Sequence, residues 1–234
     1  MSELALVRPS GPLHRIARAD APLDFSRIDA ADAQLADAGN RFDVPGAGVL
    51  YLASDAITCY YETLGRFRPS AVLIAALGEE DPGLLPAGTM TQEWRARRLH
   101  VTTELIGALP FIDIESPRTH VALTTELAPI LDRLGHLDIG QVRGPNRLLT
   151  RAIAAWAYAA LDKRGARFGG IRYRSKMNGG ECWAVFEGTE IRELDLHART
   201  LPRGAHGAAP AMRCSFEVPA PRCARRRGRA PAAR

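Results

Sequence analysis

The sequence contains no long hydrophobic run, no internal repeat and no recognisable export signal. No apolar segment approaches the roughly 20 residues that a membrane-spanning helix requires. The N-terminus, MSELALVRPSG, lacks the apolar stretch of a secretory signal peptide. We therefore expect a protein without membrane contact that is located in the cytoplasm.

Two common types of site are also missing from the sequence. The four cysteines form no Cys-x-x-Cys pair and the six histidines are scattered, so we expect free thiols and no metal. No Gly-x-Gly-x-x-Gly motif follows a predicted strand, which argues against a Rossmann site that uses a dinucleotide as a redox cofactor. We expect no bound cofactor.

The residues that are present predict one globular domain and a basic tail. Hydrophobic residues make up 46% of the 234 residues and charged residues 24%, which is typical of a folded protein. The net charge of +5 is uneven, because residues 199–234 carry nine arginines and one glutamate. We predict a folded domain over residues 1–198 and a disordered tail rich in Arg, Pro and Ala over residues 199–234.

The hydrophobic patterns predict that the domain contains both helices and strands. Helices are predicted after Ser54 and after Ser116-Pro117, with a break near Pro129, and from Arg147 to Lys163 with Asn146 as cap; Asp29–Ala38 is a weaker candidate. Residues 79–91 are predicted to form a loop. The predicted strands are Leu13–Ile16, Val49–Ala53, Ala71–Leu77, Arg97–Thr102, Phe111–Glu115, Ile171–Arg174, Cys182–Glu187 and Ile191–Leu196.

The stretch from Asn40 to Gly65 contains the densest group of candidate functional side chains. A Gly-rich turn precedes the predicted strand with Tyr51, and Ser54 is placed to cap the following helix. Helical spacing groups Ile57, Tyr61 and Leu64 into an apolar stripe, with Glu62 just beside it. Arg41, in the loop before the strand, is expected to reach the same cleft as Tyr51 and Glu62.

The order of these pieces resembles the RES domain, the toxin component of bacterial RES-Xre toxin-antitoxin pairs. The family is named after an arginine, a glutamate and a serine. Three segments carry the resemblance, over about residues 12–190: Leu13-His14-Arg15-Ile16, the stretch from Asn40 to Gly65, and Gly170-Ile171-Arg172-Tyr173-Arg174-Ser175. Asn40 and Phe42 depart mildly from the family pattern. The resemblance implies a compact mixed α/β (α+β) fold akin to ADP-ribosyltransferases, in which mixed or antiparallel sheets are flanked by helices. It also implies NAD+ as a substrate.

The candidate residues suit this implied substrate chemically. Arginine binds phosphate oxygens in a bidentate manner, which suits Arg15 and Arg41 to the diphosphate. The ring of Tyr51 suits the cationic nicotinamide. Cleavage of the N-glycosidic bond develops positive charge on the ribose, which the carboxylate of Glu62 would stabilise. Ser175 would hydrogen-bond the nicotinamide-ribose region.

The resemblance leaves the acceptor of the ADP-ribosyl group open. Phosphorolysis or hydrolysis of NAD+, which depletes the cell of NAD+, is the first interpretation, with inorganic phosphate as the second substrate in phosphorolysis. Mono-ADP-ribosylation of a protein is the alternative. A second alternative, from another class, is a non-enzymatic module that binds nucleic acid through its basic tail. The resemblance also implies an Xre-family antitoxin as partner, with DNA contacted only through that antitoxin.

Overall fold

An eight-stranded mixed sheet forms the centre of the molecule in a computed structural model that describes residues 3–67, 89–163, 165–197 and 211–213. The order of its strands is β1-β6-β9-β10-β3-β2-β5-β11, and β6 and β9 form its parallel pair. The described strands are β1 (Leu6–Val7), β2 (Leu13–Arg18), β3 (Val49–Ala53), β4 (Thr89–Thr91), β5 (Arg98–Ile106), β6 (Phe111–Asp113), β7 (Leu161–Asp162), β8 (Gly165–Ala166), β9 (Gly170–Arg174), β10 (Glu181–Phe186), β11 (Glu190–His197) and β12 (Ala211–Arg213).

Helices flank this sheet, so the mixed α+β class predicted from the sequence is confirmed. They are α1 (Ala56–Leu64), α2 (Gln92–Ala96), α3 (Pro117–Glu126), α4 (Ala128–Leu134), α5 (Ile139–Arg143) and α6 (Arg147–Ala159). The break between α3 and α4 lies near Pro129, as predicted. In the described part of the chain, no helix is long and apolar enough to cross a membrane.

Both faces of the sheet are covered by apolar side chains. On one face, residues of β3, β9 and β10 pack with α6 in the larger core, which includes the fully buried Ile153 and Ala184. On the other face, Leu13 and Leu52 surround Trp183, whose ring meets Phe111 edge-on at a centroid distance of 5.2 Å. The antiparallel register of β3, β10 and β9 fixes which residues share a face with the candidate site.

The start and the buried face of α1 differ from the prediction. Asp55, not Ser54, is the N-cap, and its carboxylate accepts a hydrogen bond from the backbone N of Thr58 at 2.7 Å. The Ser54 hydroxyl is instead occupied by Glu181 and by the indole N–H of Trp183. The apolar stripe is rotated as well, because Ile57 is exposed whereas Thr58 and Cys59 are buried.

Helix α6 begins at Arg147 under the predicted Asn146 cap but ends at Ala159, four residues earlier than predicted. It ends there because β7 and β8 form a small hairpin, with Gly165 at a φ of 113° that only glycine adopts easily. Its buried face includes Arg151, which the apolar stripe of the prediction did not contain.

The remaining predictions differ in outcome. The predicted strand at β3 is confirmed with its bounds, and those at β2, β5, β6, β9, β10 and β11 are confirmed with shifted ends. Asp29–Ala38, in contrast, forms only a 3-10 turn at Asp32–Gln34. The predicted strand over residues 71–77 and the predicted loop up to residue 88 lie outside the described residues. The end of that loop, Thr89–Thr91, is strand β4. It pairs with Ala211–Arg213, three residues for which we expected disorder and whose pattern is too short to reveal a strand period.

Candidate functional site

Arg41 lies in the loop before β3 and is held against the end of β9. Its Nη2 donates a hydrogen bond to the carbonyl oxygen of Arg174 at 3.2 Å. The guanidinium carbon lies 4.6 Å from the ring centroid of Tyr173 and 5.8 Å from that of Phe42. Its Nη1 is buried and has no hydrogen-bond partner among the described residues. The guanidinium is therefore fixed in position and keeps one buried nitrogen whose hydrogen-bonding capacity is unused among the described residues.

A buried carboxylate, Asp43, organises the loop that carries Arg41. It accepts hydrogen bonds from the Tyr51 hydroxyl at 2.7 Å and from the backbone N of Asn40 at 2.7 Å. The Tyr51 oxygen in turn accepts a hydrogen bond from the backbone N of Phe42 at 3.2 Å. Burial, followed by the charge of Asp43, raises the pKa of Tyr51 well above its ordinary value, so this phenol stays protonated.

Two arginines of α6 fasten the segment that precedes this loop. Arg147 donates to the carbonyl oxygens of Asp37 and Gly39. Arg151, which is 2% exposed, donates to those of Ala38 at 2.9 Å and of Leu35. These four hydrogen bonds hold the irregular backbone before Arg41 against the start of α6.

Glu62 lies on α1 and is exposed, without a hydrogen bond or ion pair to the residues that the structure describes. Its charge nevertheless acts on the groups around Arg41. Burial, followed by the charge of Glu62, raises the pKa of the Cys182 thiol to about 12, while Arg41 lowers it. The pKa of Lys176 is lowered, first by burial and then by the charge of Arg41, while the charge of Glu62 acts in the opposite direction. Glu62 and Arg41 therefore flank the same small region at the end of β9.

Ser175 is buried in the turn that joins β9 to β10. Its hydroxyl accepts a hydrogen bond from the backbone N of Met177 at 3.1 Å, and its own N–H donates to Gly180 O at 2.8 Å. The turn is fixed to α1 by the Asn178 side chain, whose Nδ2 donates to Thr58 Oγ1 at 3.0 Å. Ser175 therefore shapes the turn beside Arg41, and Lys176 projects from the same turn towards the carbonyl of Gly144.

Arg15 lies apart from this cluster, in a cavity of about 440 Å³ beside the second half of β2. Its Nη1 donates to the carbonyl oxygen of Asp24 at 3.2 Å. Thr63, the residue after Glu62, lines the same cavity. Among the described residues, no hydrogen bond, ion pair or ring contact joins Arg15 to Arg41. Its predicted contact with the same ligand as Arg41 stays a prediction.

The arrangement as a whole offers complementary charges and aromatic surface. Arg41 and Glu62 flank one region, Tyr51 and Ser175 support its walls, and Arg15 faces the adjoining cavity. Such a site suits a ligand that carries both an anionic group and a cationic ring.

Comparison with known families agrees with the sequence resemblance. The family model of the RES domain matches residues 12–204 of this chain. The chain belongs to the RES domain family. The matched range includes all five residues predicted for the site of this RES domain.

Two further comparisons complete this result. A chain of the crystal structure of the M. tuberculosis MbcT-MbcA toxin-antitoxin complex is similar to this RES domain, with 14% sequence identity and a TM-score of 0.44. The match covers 82% of this chain and 85% of that chain. Among curated proteins, no significant match was found.

The sequence analysis missed several residues that support the site. Asp43 stands two positions after Arg41, but nothing in a local pattern shows that its carboxylate is buried. Arg147 and Arg151 are spaced by one helical turn on an otherwise apolar helix, which was the available signal. Tyr173 was quoted only as part of the family resemblance, although its ring is the platform for Arg41.

Proposed function

We propose that this RES-domain protein is the toxin of a toxin-antitoxin pair and that it consumes NAD+ by cleaving the nicotinamide N-glycosidic bond. The observation that carries the proposal is the placement of the exposed Glu62 carboxylate and the fixed Arg41 guanidinium beside the same two groups. The charges of Glu62 and Arg41 both act on Lys176 and Cys182, and Nη1 of Arg41 has no hydrogen-bond partner among the described residues.

Arg41 would bind the diphosphate of the substrate. Its contacts with Arg174 O and with the ring of Tyr173 reduce the freedom that the guanidinium would otherwise lose on binding. A phosphate oxygen would accept a hydrogen bond from the buried Nη1, which would satisfy a donor that is costly to leave unpaired. Because the diphosphate is charged before and during the reaction, this contact contributes mainly to substrate binding.

Glu62 would act on the ribose. As the bond to nicotinamide breaks, the bonding electron pair leaves with the ring nitrogen, and positive charge develops at the ribose carbon and ring oxygen. A carboxylate near this carbon stabilises the charge that appears only in the transition state. The Glu62 carboxylate is exposed and forms no ion pair with a described arginine or lysine, so it is available for this role.

Tyr51 and Ser175 would define the pose of the nicotinamide half. The hydroxyl of Tyr51 is engaged by Asp43, so the ring is the part of this residue that remains for the nicotinamide. Ser175 holds the turn beside Arg41 and would also hydrogen-bond the nicotinamide-ribose region. Arg15 would contact the substrate from the adjoining cavity.

A protein that destroys NAD+ in its own cell requires an inhibitor. Membership in the RES family supports an Xre-family antitoxin as the partner, which would cover the site and bind operator DNA itself. We propose the cytoplasm as the location of the protein, because a toxin that depletes the NAD+ of its own cell acts there. The acceptor in our proposal is phosphate or water, with a protein side chain as the alternative.

The test is chromatography of NAD+ incubated with the purified full-length chain. We expect release of nicotinamide. Phosphorylated ADP-ribose that forms only with added phosphate indicates phosphorolysis, free ADP-ribose indicates hydrolysis, and ADP-ribose attached to protein indicates transfer. Intact NAD+ after prolonged incubation, with and without phosphate, contradicts the proposed activity.

A further inference from the structure

The parallel pairing of β6 with β9 stops one step before the candidate site. The last register partners are Asp113 and Arg172, and the backbone N of Ile114 donates to the carbonyl oxygen of Arg172 at 3.1 Å. In a regular parallel ladder, the next hydrogen bonds would join Arg174 to Ile114 and Ser116. The chain turns away instead, because the backbone N of Ser116 donates to the carbonyl oxygen of Asp113 at 3.3 Å. The backbone of β6 therefore no longer accompanies β9 at Arg174.

Two side chains bind the backbone of Arg174 where β6 has turned away. The Glu115 carboxylate accepts a hydrogen bond from the backbone N of Arg174 at 3.0 Å. Nη2 of Arg41 donates to the carbonyl oxygen of the same residue at 3.2 Å. The N–H and C=O groups of one strand residue point to the same side of the strand, so Glu115 and Arg41 bind the same stretch of backbone. A shift of Arg174 would thus move the acceptor that holds Arg41.

Glu115 is itself held in place from three directions. Its side chain is 9% exposed, and its second carboxylate oxygen accepts a hydrogen bond from Arg143 at the end of α5. Its backbone N donates to Oδ1 of Asp113 at 3.1 Å. Burial raises the pKa of Glu115, but the hydrogen bonds from Arg143 and from the backbone of Arg174 outweigh burial, so this pKa lies below its ordinary value. The carboxylate is therefore ionised at neutral pH, the state in which it accepts hydrogen bonds most strongly.

We propose that Glu115 is a positioning residue for substrate binding, which fixes the guanidinium of Arg41 through the backbone of Arg174. Glu115 does not touch the substrate; it holds the N–H of the residue whose carbonyl oxygen holds Arg41. A guanidinium that is already fixed loses less freedom when it binds an anion, so Glu115 increases the affinity for the substrate. The effect on NAD+ rests on the proposed function, whereas the effect on the motion of Arg41 does not.

The first test measures KM and kcat for NAD+ cleavage by the full-length chain. We expect Glu115→Ala to raise KM by about tenfold or more, with a much smaller change in kcat, as for the loss of one hydrogen bond to a charged group. Glu115→Gln should recover part of the affinity, because its amide oxygen can still accept the hydrogen bond from Arg174. A normal KM in Glu115→Ala, a loss confined to kcat, or a Glu115→Gln variant no better than Glu115→Ala overturns the proposal.

Glu93→Ala is the matched control for these variants. Glu93 is also paired with an arginine, Arg97, at 2.5 Å, but both side chains lie on the surface of α2 and are more than two-thirds exposed. Surface ion pairs contribute little to stability, so this variant should have the KM and kcat of the wild type. A rise in KM equal to that of Glu115→Ala would show that the loss of any such carboxylate has this effect, which contradicts a specific role of Glu115.

A double-variant cycle shows whether Glu115 acts through Arg41. Glu115→Gln is used here because it preserves the volume of the side chain and one acceptor. In the Arg41→Ala background it should change KM by less than about twofold, because no guanidinium is left to position. Melting temperatures of the same preparations show that each variant is folded. Effects of the two substitutions that multiply independently indicate a general structural role and overturn the proposal.

A third measurement does not require NAD+ cleavage. A hydrogen bond and the ring of Tyr173 hold the Arg41 guanidinium, so its rotation should be slow and its two Nη groups should give separate NMR signals. We expect these signals to merge in Glu115→Ala and to stay separate in Glu93→Ala. Separate signals in Glu115→Ala, or merged signals in the wild type, contradict the positioning role. Intact NAD+ with the wild type contradicts the proposed function instead, and the NMR signals alone then decide the role of Glu115.

Discussion

At the scale of single residues, the site depends on side chains whose partners are distant in sequence. Tyr51 and Glu62 were located from short patterns, because the residues that mark a strand or the start of a helix are neighbours in the sequence. The burial of Asp43 was not predictable, since it depends on the hydroxyl of Tyr51 and on the packing of α6 above the loop. The sequence therefore pointed to candidate site residues but not to the residues that hold them in place.

Tyr51→Phe tests the role of the bond between Tyr51 and Asp43. The variant keeps the aromatic ring but leaves the buried carboxylate without one of its donors, so we expect a loss of about 1–3 kcal/mol in the free energy of unfolding. If the ring alone contacts nicotinamide, turnover per folded molecule stays close to that of the wild type. The measurements are denaturant unfolding and nicotinamide release on the same preparation.

The matched control for that variant is Tyr158→Phe. The Tyr158 hydroxyl makes only a 3.5 Å contact with Glu187, so its loss should change the stability much less. Equal stability of Tyr51→Phe and the wild type would show that the hydrogen bond to Asp43 does not hold the loop.

At the scale of elements, the sequence predicted the strands of the site well and the helix faces less well. β3, β9 and β10 were recognised because short runs of β-branched and aromatic residues stand between glycines and polar turns. The buried face of α1 was predicted wrongly because Thr58 is buried through its hydrogen bonds. Its hydroxyl bonds the side chains of Asp55 and Asn178. Likewise, Arg151 enters the buried face of α6 to satisfy carbonyl groups of a loop.

The contact between α1 and the β9–β10 turn can be tested at Gly180. A Cβ atom at this position would lie 1.9 Å from Thr58 Oγ1. Gly180→Ala should therefore push the turn away from α1, lower the stability by about 1–3 kcal/mol and reduce NAD+ turnover, because the turn carries Ser175 and α1 carries Glu62. Unfolding and turnover are measured together.

A second variant and a control distinguish this clash from a general effect of replacing glycine. Thr58→Ala in addition to Gly180→Ala removes the clashing atoms and should restore part of the turnover. Gly11→Ala, where no atom lies within 4 Å of the added Cβ, should behave like the wild type. Wild-type turnover of Gly180→Ala would mean that the packing of the turn does not position the site.

At the scale of the whole molecule, the order of the motifs predicted more than any single motif. Arg15, the stretch around Arg41 and Glu62, and the segment ending at Ser175 are distant in sequence. The fold brings the last two together at the end of β9 and leaves Arg15 in the adjoining cavity. The eight-strand order was not predictable, since β2 and β5 pair across 80 residues or more. The tail boundary at residue 199 stays a prediction.

The most direct test of the account compares the wild type, Glu62→Gln and Arg41→Ala by turnover, KM and melting temperature on the same preparations. The account predicts that Glu62→Gln folds normally and loses turnover by about 10²-fold or more, because the carboxylate acts when charge develops on the ribose. Arg41→Ala should mainly raise KM, since the diphosphate is bound in both ground and transition states. Near-normal turnover in a folded Glu62→Gln variant would contradict the central claim that Glu62 is the catalytic carboxylate.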